Sequence, residues 1–154
     1  NHSVIDVRYG YQGRLLANAE FLNDPESQHF SLYGKRLLSG VKQPITEDLL
    51  NLAGVRLPVG ELFVIDGKTV LWLNETDSVG NLFPEGFSTD YLIISNNSIG
   101  NEDELKPYLH AKEIIIDKSN SYYTQRALQE SAKENGLSIH QVSTNGYFSS
   151  LWRK

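Results

Sequence analysis

Leu62-Phe63-Val64-Ile65-Asp66-Gly67-Lys68-Thr69-Val70-Leu71-Trp72-Leu73 is the stretch whose reading decides the fold. Two apolar runs rich in β-branched and aromatic residues flank an Asp-Gly pair. Such a pair tolerates the positive φ angles of a two-residue type I′ turn. The stretch predicts a β-hairpin with Asp66 and Gly67 at its tip, placed centrally in a sheet.

Downstream, the chain alternates strand and helix. Tyr91–Ser95 and Glu113–Ile116 are short apolar runs of the buried-strand type. Between them, Asn101 with Glu104 three residues on forms a capping pair for a helix carrying Leu105, Tyr108 and Leu109, kept short by Pro107. Ser121 to Asn135 predicts a second helix, with Tyr123, Ala127, Leu128 and Ala132 on one side and Gly136 at the stop. Leu137–Val142 and Tyr147–Trp152 are expected as two closing strands around an Asn145-Gly146 turn.

Upstream, Val4 to Tyr9 and Arg14 to Ala17 predict a hairpin across Gly10-Tyr11-Gln12-Gly13. Asp24 is a suitable N-cap and Pro25 suits a first helical position. Phe30, Tyr33 and Leu37 then recur at helical spacing up to Gly40. Residues 43–60, interrupted by Pro44, Gly54, Pro58 and Gly60, match no periodic pattern. Antiparallel hairpins followed by a βαβα half predict an α/β chain of the α+β layered kind.

Bulk properties narrow the function classes. The 154 residues are one domain's worth, 40% hydrophobic and 21% charged, as in ordinary globular proteins. No apolar run approaches the roughly 18–20 residues that span a bilayer. With no cysteine, the chain has neither disulfides nor thiolate metal sites. It starts at Asn1 and has no methionine, so we expect a piece of a longer protein. The net charge is −5, which disfavours generic phosphate binding. Its distribution is uneven: residues 1–44 hold five Lys/Arg against four Asp/Glu, and residues 45–154 hold nine against fifteen. Lys35, Arg36 and Lys42 form the densest basic cluster and are the candidate DNA contacts, for weak binding only.

The order of motifs resembles the metallo-β-lactamase-like domain at the C-terminus of the ComEC competence family, membrane proteins that carry incoming DNA across the inner membrane. The resemblance rests on Gly67-Lys68-Thr69-Val70-Leu71-Trp72-Leu73-Asn74, on Asp90-Tyr91-Leu92-Ile93-Ile94-Ser95-Asn96-Asn97-Ser98, and on Glu113-Ile114-Ile115-Ile116-Asp117. The Tyr122–Glu134 helix and Thr144-Asn145-Gly146-Tyr147-Phe148 extend it. His2-Ser3-Val4-Ile5-Asp6-Val7 looks like the early strand of the domain in Bacteroidetes-type members. What the resemblance implies is a truncated αββα arrangement over residues 1–154, from an inner-membrane parent, with this domain on the periplasmic side.

The departures bear on chemistry. The resemblance implies a His-x-His-x-Asp-His loop, yet between Asn18 and Gly67 the only histidine is His29. The family's His-His-Gly-Ser reads Asn96-Asn97-Ser98-Ile99 here, and its metal-binding Asp falls at Asn74, or at Asp77 if the strand runs three residues longer. Amides are weak, uncharged ligands beside imidazoles and carboxylates. We therefore expect Asn74, Asp77, Asn96 and Asn97 to mark lost ligand positions, with no metal, no small-molecule cofactor and no catalytic residue.

Other chemistry is sparse. His2, His29, His110 and His140 are scattered, and Glu75 with Asp77 is a loop carboxylate pair. The leading expectation is a non-catalytic domain of a DNA-uptake protein, with DNA or the parent's membrane channel as partner. The competing expectation is a metal-dependent nuclease or phosphodiesterase built from Asp77, Glu75, Asp90 and a histidine.

Overall fold

In the computed structural model, the described residues are 3–9, 12–17, 19–38, 53–76, 83, 87–100, 102–106 and 110–150. The chain forms two compact units, Asn1–Asn51 and Leu52–Lys154.

In the first unit, β1 (Val4–Tyr9) and β2 (Gln12–Ala17) pair antiparallel, from Val4 opposite Ala17 to Tyr9 opposite Gln12. A short helix, α1 (Ala19–Leu22), leads into α2 (Pro25–Leu38). Asp24 caps α2 as its sequence predicts: Oδ1 accepts from the backbone N–H groups of Glu26 and Ser27, both at 3.1 Å. Val7, Leu16, Phe21 and Leu32 are buried. Phe30, expected on the apolar stripe, is instead 93% exposed, whereas Leu32 is buried.

The second unit is a six-stranded sheet in the order β3-β4-β5-β6-β7-β8. Its strands are β3 (Ala53–Leu57), β4 (Gly60–Ile65), β5 (Lys68–Leu73), β6 (Tyr91–Ile94), β7 (Glu113–Ile116) and β8 (Ile139–Gln141). The first three form an antiparallel meander, and β5 to β8 run parallel. The deciding hairpin is β4–β5, inside the sheet, with Asp66 at φ 48° and Gly67 at φ 76° in its tip. The chain is thus mixed α/β with an α+β layered organisation.

The three parallel pairs need crossover connections, and among the described residues helices supply two of them. α3 (Glu102–Leu105) follows β6 and α4 (Tyr122–Glu134) follows β7. Leu105 and Leu128 from these helices join Leu71, Leu73, Leu92, Ile94, Ile114 and Ile116 in one buried core on one face of the sheet. The opposite face carries Phe63, Val70, Trp72 and Ile115, also buried. Burial on both faces explains why β5 reads as a continuous apolar run rather than an alternation.

Several expectations need correction. β3 arises in the stretch that showed no pattern. Gly54, Val55 and Arg56 are exposed there, so no apolar periodicity announces it, and the Pro58-Val59 turn sets its register on β4. Residues 147–150 form no strand. Instead α5 (Val142–Asn145) closes a helical turn, because the Asn145 side chain accepts from the Gln141 backbone N–H at 3.0 Å. Gly146, at φ 80°, redirects the chain so that the Phe148 ring lies 5.2 Å from His140 and 5.8 Å from Tyr91. Tyr123 is 82% exposed rather than on the packed side of α4, which buries Thr124, Gln125, Leu128, Ser131 and Ala132. Asn101, Tyr108 and Leu109 lie outside the described residues.

Two glycines of the central hairpin make a paired test. A Cβ on Gly67 meets nothing within 4 Å, so only its positive φ resists substitution. Gly67→Ala or Gly67→Val should therefore cost about 1 kcal/mol or more in a denaturant melt. At Gly60, with φ 154°, a Cβ falls 1.9 Å from the Trp72 carbonyl oxygen. Gly60→Ala should cost clearly more than Gly67→Ala, and equal costs would contradict this account of the hairpin.

Candidate functional site

In open α/β sheets, ligands gather at the carboxyl ends of the parallel strands, where the loops diverge. Here that end is built from the residues following β5, β6 and β7. Asn74 follows β5 and donates its backbone N–H to the Val59 carbonyl at 3.1 Å. Asn96 and Asn97 follow β6 in left-handed conformations, at φ 55° and 56°. Asp117, Ser119, Asn120 and Ser121 follow β7 and lead into α4.

These groups are bonded chiefly to one another. The Asn96 side-chain amide donates to the Asn74 carbonyl at 3.3 Å, which brings two of the predicted positions together. The backbone N–H of Asn96 donates to Ser119 Oγ at 2.7 Å, and that of Asn97 to Asn120 Oδ1 at 2.9 Å. The Asn97 side-chain oxygen accepts from the Ser121 N–H at 2.7 Å. Asn120, 4% exposed, donates to the carbonyls of Ile94 and Asp117 at 2.7 and 3.0 Å. Asp117 Oδ1 accepts from the Ser119 backbone at 2.8 Å and also from the Ser119 hydroxyl. Ser121 caps α4, its hydroxyl accepting from the Thr124 N–H at 3.2 Å.

The predicted site residues fare differently. Asn74, Asn96 and Asn97 share the carboxyl end, while Asp77 lies outside the described residues. Lys35 and Arg36 sit on α2, and Lys42 is outside the described residues. Of the competing nuclease set, Glu75 and Asp90 lie at opposite ends of the sheet, and Asp77 is outside the described residues. Glu75 lies beyond the carboxyl end of β5, whereas Asp90 bonds Thr69 near its start. Six residues of strand, about 20 Å, separate those two levels. The sequence reading missed Asp117, Ser119 and Asn120. Their signal was a polar run directly after an apolar strand.

The resemblance implies a metal centre, so the donor set must be weighed against one. Among the described residues, no three His, Cys, Asp or Glu side chains are grouped to hold an ion. Among the described carboxylates of the rim, Asp117 accepts from Ser119 and Glu75 is exposed to solvent. The side chains of Asn96 and Asn97 are spent on the Asn74 carbonyl and the Ser121 N–H. This set does not fit a dinuclear centre.

At the opposite end, charge does the organising. Asp90 Oδ1 accepts from Lys112 at 2.7 Å and lies 3.6 Å from Lys68, and Oδ2 accepts from the Thr69 backbone at 2.9 Å. The Lys112 hydrogen bond, then the Thr69 N–H, hold this carboxyl well below the usual aspartate range, against the opposing effect of burial. A cleft of ≈ 340 Å³ beside it is lined by Lys68, Lys112, Tyr91, Phe148 and Ser150. Both lysines there lean on Asp90, and Glu113 accepts from Ser138 at 2.6 Å. Those charges are engaged in structure.

The fold and rim define a class: an α+β domain whose sheet ends in a self-bonded rim of amides and hydroxyls. The chain belongs to the ComEC C-terminal domain family, whose model matches residues 1–152. That family is one of competence, or DNA-uptake, proteins, which points to a membrane-associated parent. No curated protein and no solved structure matches the chain. Among the described residues, no helix is long and apolar enough to cross a membrane.

The Asp90 network carries a pH prediction. A depressed folded-state pKa contributes stability above the unfolded aspartate value of about 3.9, and loses it as pH falls through the folded value. Asp90→Asn should cost about 1.5–3 kcal/mol at pH 7, the usual worth of hydrogen bonds to a charged group. Its deficit should shrink below pH 4, as measured by urea melts at pH 7 and pH 3. A deficit constant across that range would refute the assignment.

Proposed function

We propose that this chain is a non-catalytic, metal-free domain of a ComEC-type DNA-uptake protein. Its parent sits in the inner membrane and this domain lies on the periplasmic side, as a structural or DNA- and partner-binding element. Residues 1–154, both compact units included, belong to one such domain of a longer protein. Its partners are DNA, held weakly with Lys35, Arg36 and Lys42 as phosphate contacts, and the membrane channel of the same parent.

One observation carries the non-catalytic reading. Of the four positions that would hold metals by family resemblance, Asn74, Asn96 and Asn97 are amides and Asp77 is the alternative to Asn74, and Asn96 and Asn97 are bonded into the rim. A hydrolase of this kind depends on ions that generate hydroxide at neutral pH and polarise the phosphoryl oxygen. Neutral amides locked in a hydrogen-bond network supply neither a charge to hold such ions nor a base. What remains is a shaped polar surface on a rigid sheet, which is suited to contact rather than to cleavage.

Elemental analysis of the dialysed protein should find no stoichiometric zinc or manganese, and labelled oligonucleotide should stay intact when manganese is added. About one equivalent of tightly held metal, or chelator-sensitive cleavage, overturns the reading.

A further inference from the structure

β3 is an edge strand, paired on one side only among the described residues. Which of its backbone groups are left over follows from the hairpin that joins it to β4. The closing pair of a two-residue hairpin is hydrogen-bonded, and bonded and non-bonded pairs then alternate along the strands. Leu57 and Gly60 are the closing pair, so Ala53, Val55 and Leu57 bond to β4. Gly54 and Arg56 therefore turn their N–H and C=O groups outward. A Cβ on Gly54 would lie 3.3 Å from Phe63 Cβ, the close approach expected of a non-bonded pair.

Such an edge is a template for pairing with another chain, and proteins commonly blunt it with lysine, proline or a bulge. β3, Ala-Gly-Val-Arg-Leu, has none of these, and its register on β4 is regular. Its side chains suit a strand like itself. On the face of the main core, the apolar layer runs past Leu57 and Leu62 to the edge, where Val55 and Val64 are 60% and 43% exposed. On the other face Arg56 lies opposite Glu61, and neither has an ion pair among the described residues. Glu61 Oε1 lies instead 3.8 Å from where a Cβ on Gly54 would stand, beside a space that glycine leaves unfilled.

We propose that β3 is a self-association edge, on which a second copy of this chain pairs antiparallel about a two-fold axis at Val55. This register sets Gly54 of each copy opposite Arg56 of the other, so every outward N–H meets an outward C=O. Val55 then faces Val55 at a non-bonded position, where opposed side chains come closest. Arg56 of one copy enters the space over Gly54 of the other, next to its Glu61. A register centred on Arg56 would set like charges together, and one centred on Gly54 would leave the Arg56 backbone without a match in β3. Pairing about a two-fold axis is closed, so it uses up this edge and stops at a dimer. The surface involves neither the carboxyl-end rim nor Lys35, Arg36 and Lys42, and it needs neither metal nor DNA.

Sedimentation of the chain across the micromolar range, with amide exchange followed by NMR, tests the interface. Dimer should form as concentration rises, and the Gly54 and Arg56 amides should gain protection in step with it. Arg56→Glu and Glu61→Arg should each weaken dimerisation about tenfold or more, because each brings like charges together across the axis. Mixed in equal amounts, the two variants should dimerise with each other, a rescue that a merely structural defect would not show. If either variant does not fold, Val55→Lys decides: it should lose the dimer at an unchanged melting temperature, since the position is exposed. A chain that stays monomeric at high micromolar concentration overturns the proposal. So does a dimer that leaves the Gly54 and Arg56 amides unprotected, or one indifferent to these substitutions. Protection of those amides that does not change with concentration also overturns it, because another segment of the same chain would then cover the edge.

Discussion

Asn120 sits buried behind the end of β7, with its amide nitrogen shared between the carbonyls of Ile94 and Asp117 and its oxygen taken by the backbone N–H of Asn97. Through that one side chain, β6, β7 and the entry to α4 are fixed to each other. Gln125 adds a second tie, its amide donating to the Asn120 carbonyl at 2.6 Å and its oxygen accepting from Gln141 at 2.8 Å on β8. Leaving a buried partner of such a bond unsatisfied costs about 1–3 kcal/mol, so each link constrains its neighbours. The left-handed turn at Asn96 and Asn97 fits here because asparagine tolerates that conformation and both side chains have partners.

The two ends of the parallel sheet are held by different physics. At the amino end, Asp90 is an ionised carboxylate between two lysines and a backbone N–H, a device that weakens in acid. At the carboxyl end the rim is held mainly by amides, hydroxyls and backbone groups, with Asp117 as a carboxylate acceptor for Ser119. A polar end held mainly by neutral groups keeps its shape without needing an ion to neutralise clustered carboxylates.

Much of the fold was legible because the relevant signals are local. Asp66-Gly67 fixed the central hairpin, Ser121 and Gly136 bounded α4 within a residue, and the isoleucine run of β7 announced a strand buried on both faces. β3 was not legible, since an exposed edge strand needs no apolar pattern and takes its register from β4. The Asn145-Gly146 pair misled because the same dipeptide that suits a hairpin also suits a helical turn when the Asn side chain can cap it. Tyr123 misled in the same way: helical spacing placed it with Leu128, but the sheet meets α4 through Thr124, Leu128 and Ala132. Of the candidate site, family resemblance located Asn74, Asn96 and Asn97. The role of Asn120 was hidden, because it depends on what lies beside it in space rather than along the chain.

The side-chain amides of Asn96, Asn97 and Asn120 are committed to protein partners, and the carboxyl end does not gather divalent ions. Side-chain amide resonances of Asn74, Asn96, Asn97 and Asn120, followed by NMR during titration with manganese, test it most directly. A paramagnetic ion held among them would broaden all four at substoichiometric addition. The account predicts no selective broadening of this set relative to other surface amides. Selective loss of these four signals, reversed by chelator, would contradict it.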